Sequence, residues 1–78
     1  MFFGTQQKPS REDRRATLVR VVTIQIAVVM AMHESEVPLL KQWVSTQRSL
    51  SCRCRDLSER RQWLTELGQS FVRWRNSQ

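Results

Sequence analysis

Residues 36–75 read EVPLLKQWVSTQRSLSCRCRDLSERRQWLTELGQSFVRWR, and within them Trp43, Leu50, Leu57, Leu64 and Phe71 recur every seventh residue. An apolar repeat of seven marks a helical seam, because two helical turns return a side chain almost to the same face. The companion half-heptad row opens with Leu39 and closes with Leu67 and Trp74, but Thr46, Arg53 and Arg60 fill its middle. The seam is apolar at its ends and basic at its waist. Such a half-stripe suits packing beside another helix, or beside a partner that answers its arginines, better than an autonomous two-stranded coil.

Local signals divide the stretch. Ser35 and Pro38 mark a helix start, serine as cap and proline in the first turn. Asp56 with Glu59 three residues on repeats the capping pattern. Between them, 51–56 (SCRCRD) is poor in helix formers apart from arginine. Either a turn near 49–56 separates two helices, or the seven-residue phase carries one helix through the join. The break is the reading adopted, so the expected architecture is all-α, a small bundle of two to three helices at about 11–33, 36–54 and 57–75, with the last two as one helix in the alternative.

Upstream, Ser10 can cap a helix whose first turn holds Glu12 and Asp13. Residues 1–9 show no periodicity and read as a flexible N-terminal arm, leaving 10–78 as a single helical domain. The body of the first helix, 16–32 (ATLVRVVTIQIAVVMAM), admits three readings. Its β-branched density favours a strand, yet no second β-rich run exists to pair with it. Its charge-free run, 21–32, makes about 18 Å of helix against a hydrocarbon core of about 30 Å, too short to span. As an amphipathic helix it places Leu18, Val22, Ile26, Val29 and His33 along one side, with Gln25 inside the apolar face as a polar group that needs an amide partner if buried. The helix is the reading adopted. A secretory signal is discounted, since the leader ahead of the apolar run is long and carries two acids.

The chain has 78 residues, eleven arginines and two lysines against seven acids, for a net charge of +6 and a pI near 11.1. A domain of this size buries only about 60% of its unfolded surface, so a partner or a second copy is expected. The basic excess favours polyanions, and arginine in particular suits bidentate phosphate or carboxylate contacts. On a continuous helix Lys41, Arg48 and Arg55 would form a row on one flank, rising about 10.5 Å per heptad, with Arg53, Arg60 and Arg61 at the middle of the same segment. Trp43 and Trp74 are in phase with the seam, whereas Trp63 is off phase and is the better candidate for an exposed stacking contact.

Catalysis is not expected. One histidine and two glycines leave no Ser/His/Asp set and no glycine-rich phosphate loop. His33, Cys52 and Cys54 are too few for a zinc site, and a Cys-x-Cys pair on a helix would point its sulfurs apart, so neither metal nor cofactor is expected and the cysteines read as free thiols in a reducing, intracellular compartment. Residues 64–71 (LTELGQSF) resemble the short amphipathic helix with which pro-apoptotic proteins dock into the groove of cell-death regulators, with leucine, glycine and phenylalanine at matching places. Gln69 stands where that motif has an acid and Arg60 where it has an apolar anchor.

These observations lead to an expected non-enzymatic accessory protein, in the style of small viral or phage proteins. It would self-associate through Leu18, Val22, Ile26, Val29, Leu39, Trp43, Leu50, Leu57, Leu64, Leu67, Phe71 and Trp74, and present Lys41, Arg48, Arg53, Arg55, Arg60, Arg61 and Trp63 to RNA or DNA. The rival expectation is an adaptor or small chaperone-like subunit in a hetero-complex, its apolar face covered by another helical protein and its arginines meeting acidic side chains. A third places 16–32 on a membrane.

Overall fold

The computed structural model describes residues 10–78, and the expected arm at 1–9 lies outside the described residues. Three α-helices, α1 (Arg11–Val29), α2 (Val37–Ser45) and α3 (Leu57–Asn76), are joined by a 3-10 turn at Glu34–Glu36 and by a non-helical linker at 46–56. No strand occurs among the described residues, and no helix there is long and apolar enough to cross a membrane.

α1 begins where its cap predicts: Ser10 is extended, and its Oγ accepts from the Asp13 N–H at 3.1 Å. It stops at Val29, four residues short of the expected His33, because Ala31 turns left-handed at φ 52°. The Ala31 N–H then reaches the Val28 carbonyl at 3.2 Å and the Met32 N–H reaches the Ala27 carbonyl at 2.9 Å. This pair of bonds is a Schellman ending built on alanine rather than the usual glycine. His33 caps the following 3-10 turn through Nδ1, which accepts from the Ser35 N–H at 3.2 Å. Ser35 does not cap α2 as expected. The N-cap is Glu36, one residue later, which makes no side-chain cap bond, and Pro38 sits in the first turn of the helix.

α2 ends at Ser45, nine residues before the expected Cys54. The hydroxyls of Ser45 and Thr46 bond back to the Gln42 and Trp43 carbonyls, each at 2.6 Å, competing with a further helical turn. Arg15 of α1 donates to the Ser45 carbonyl at 3.4 Å and to the Gln47 carbonyl, satisfying acceptors that the helix end leaves open. α3 restarts on a variant of the capping box: Asp56 Oδ1 accepts from the Glu59 N–H at 2.8 Å, while Glu59 Oε2 accepts at 2.7 Å from the N–H of Arg55, the residue before the cap, rather than from that of Asp56 itself. The single 40-residue helix is therefore excluded, and with it the continuous seam.

The seam residues reach the core by separate routes. Trp43 arrives on α2, Leu50 on the linker, and Leu64 and Phe71 on α3, where they join Val19, Val22 and Ile26 of α1 and Leu40 and Val44 of α2. Phe71, Ile26, Leu40, Val22 and Val44 are fully buried, each such side chain stabilising the fold by about 1.5–3 kcal/mol. The Phe71 ring lies 5.7 Å from Trp43 and 5.9 Å from Trp74. Beside it, the absent side chain of Gly68 admits Met30 and Ile26: a Cβ there would lie 2.5 Å from Met30 Cγ. Trp43 against Phe71, with Glu36 paired to Arg75, sets α2 antiparallel to α3. Leu64, Gly68 and Phe71, which carry the likeness to the groove-docking helix, are thus spent inside this chain's own core.

Leu57 is the exception in the row, 84% exposed. It is the first residue of α3, where the cap fixes the backbone direction before the helix reaches its neighbours. Leu18 and Leu39, also expected in packing, lie at 38% and 36%, on the outer edge of their helices.

Candidate nucleic-acid interface

The sequence places arginine in the linker and around both of its ends, and the fold decides which of these groups remain free. α1 supplies Arg11, Arg14, Arg15 and Arg20; α2 supplies Lys41; the linker holds Arg48, Arg53 and Arg55; and the first turns of α3 carry Arg60 and Arg61. Together with Glu12, Asp13, Asp56 and Glu59 these make ten basic and four acidic groups, equal in balance to the net +6 of the whole chain.

Arg15 is the joint of this surface. By holding the Ser45 and Gln47 carbonyls it ties the C-terminal end of α2 to the first half of α1. Between those helices runs a cleft of about 610 Å³, floored by Ala16 and Val19 and rimmed by Arg15, Arg20 and Lys41, with Glu12, Gln42 and Ser45 completing its lining. Sequence reading did not single out Arg15 or Arg20; the signal available was the arginine density of the first turns of α1, whose phase relative to α2 depends on tertiary packing.

The expected row of Lys41, Arg48 and Arg55 does not form, because α2 has ended before Arg48. Lys41, Arg48, Arg53, Arg55 and Arg61 are all exposed. The carboxylates nearest in sequence to the four arginines, Asp56 and Glu59, are engaged with backbone N–H groups at the start of α3, and Glu36, the one nearest to Lys41, is paired with Arg75. Among the described residues the one ion pair is Arg75 with Glu36, at the other end of α3. The linker cations are therefore left without a carboxylate partner among the described residues.

Two expected contact residues are committed elsewhere. Arg60 is half-buried, and its Nη2 donates to Gln25 Oε1 at 2.9 Å. That bond supplies the partner which a glutamine on the apolar side of α1 requires, and it ties α3 to the middle of α1. Trp63, expected as an exposed stacking residue, is half-buried and packs against the core cluster. Of the packing set, Val22, Ile26, Trp43, Leu50, Leu64 and Phe71 are buried, Val29, Leu67 and Trp74 partly so, and Leu18, Leu39 and Leu57 exposed.

The cysteines also differ from expectation. Cys52 and Cys54 are bridged rather than free, with Cα atoms 5.2 Å apart, inside the span a disulfide requires. The helical geometry that would turn their sulfurs apart is absent, since the linker is not helical. Among the described residues no three His, Cys, Asp or Glu side chains converge as a metal site.

Compared with protein-family models, curated proteins and solved structures, the chain finds no match.

Proposed function

We propose that this protein is a non-enzymatic nucleic-acid-binding accessory protein whose contact surface is the linker with the adjoining ends of α1 and α3. The observation that carries the reading is the set of exposed linker and α3 arginines, Arg48, Arg53, Arg55 and Arg61, which no carboxylate among the described residues pairs. Phosphates are spaced regularly and answer arginine bidentately, so a group of unpaired guanidinium ions on an irregular backbone can adapt to either duplex or single strand. Lys41 and Arg20, on the cleft beside Arg15, extend the same positive surface. Arg60 acts in this account by holding α3 to α1 through Gln25, and Trp63 by packing.

Self-association belongs to the same reading. With the seam consumed inside one chain, the face left over is the outer stripe of α1: Val21, Ile24 and Val28, of which Val28 is 74% and Ile24 55% exposed. A second copy of α1 laid antiparallel on this stripe would bring the arginine-rich first turns of one chain toward Glu34 at the far end of the other, and would oppose the helix dipoles favourably.

Fluorescence anisotropy with labelled duplex and single-stranded RNA and DNA tests the binding. Retention at low salt is expected, with loss in the Arg48→Ala/Arg53→Ala/Arg61→Ala variant. Absence of binding at low ionic strength rejects the reading and leaves an acidic protein as the counterpart of the arginines.

A further inference from the structure

Cys52 and Cys54 lie half-buried in the linker, bridged to one another across the exposed Arg53 and followed by the exposed Arg55. We propose that they form a thiol–disulfide exchange couple whose co-reactants are a low-molecular-weight thiol and its disulfide. Three observations support this. First, a bridge between residues two apart restrains almost none of the unfolded chain, so it adds little as a staple. The linker is already fixed by buried Leu50, by the bonds from Arg15 to Ser45 and Gln47, and by the α3 cap at Asp56. Second, the exposed Arg53 and Arg55 flank the pair in sequence, so positive charge is available to a departing sulfur anion. Third, the second sulfur is next to the first, so a mixed disulfide formed on either cysteine is resolved within the same chain.

The exchange balances as follows. An external thiolate attacks one Sγ, the Cys52–Cys54 bond breaks, and the other cysteine departs as a thiolate. A second external thiolate attacks the outer sulfur of the mixed disulfide and releases the first cysteine. Two external thiols become one disulfide, and the protein pair takes up two electrons and two protons; the reverse direction oxidises the pair.

The test equilibrates the full chain in buffers of graded glutathione to glutathione disulfide ratio, followed by acid quenching, alkylation and intact-mass measurement. One step from two alkylated cysteines to none is expected within the accessible range, with Cys54→Ser accumulating a single glutathione adduct. Two alkylated cysteines at every ratio, or an intact bridge at every ratio, overturns the proposal. Thermal unfolding of the oxidised and reduced forms should give the same Tm; a large fall on reduction identifies a structural staple and overturns it equally. On the reduced protein, the pH midpoint for reaction with neutral iodoacetamide should lie lower than in the Arg53→Gln/Arg55→Gln variant. Identical midpoints contradict the role given to the arginines.

Discussion

Three positions show how single residues set this fold. Ala31 holds a left-handed backbone that glycine adopts without a Cβ penalty, and the Schellman bonds at the end of α1 depend on it. Ala31→Gly should therefore stabilise the protein by about 1 kcal/mol in urea unfolding, the opposite of the usual effect of adding glycine. Gly68 has the reverse logic. A side chain there meets Met30 and Ile26, and although valine is a better helix former than glycine, Gly68→Val should cost about 1–3 kcal/mol through overpacking, read as a lower urea midpoint at unchanged slope. Asp56 accepts from the Glu59 N–H at the start of α3, so Asp56→Ala should cost about 1 kcal/mol.

At the level of the helices, Leu50 and Leu57 separate the observed fold from a continuous seam. Both stand in the same seven-residue row, yet Leu50 is buried at 3% exposure and Leu57 is open. Leu50→Ala should cost about 2–4 kcal/mol, while Leu57→Ala should stay within about 0.5 kcal/mol of wild type; equal losses would restore the single long helix. The caps at Ser10 and Asp56 could be read from sequence because capping is a contact over three residues, and both form as expected. The helical character of 16–32 was readable for a different reason, the lack of any second strand. The early end of α2 was readable only in part: the Ser45 and Thr46 hydroxyls that compete with a further turn are local, but Arg15, which satisfies the Ser45 and Gln47 carbonyls from α1, is distant in sequence. The bond between Arg60 and Gln25 has the same character: the need for a partner at Gln25 was visible, and the partner's identity required the crossing of α1 and α3.

The described residues combine a core built within one chain with two surfaces outside that core, the outer stripe of α1 and the arginine-rich linker. The first predicts a dimer by sedimentation velocity, converted to monomer with unchanged helicity by Ile24→Glu or Val28→Glu, since either charge would be buried in the α1–α1 contact. The second carries the proposed binding of nucleic acid, and the salt dependence of that binding measures it directly. If Arg48, Arg53 and Arg61 each neutralise a phosphate, the slope of log K against log salt on duplex DNA should become shallower by about 0.9 for each one replaced by alanine. A variant lacking all three that keeps the wild-type slope, or a wild-type affinity independent of salt, would contradict a phosphate-binding role for this surface.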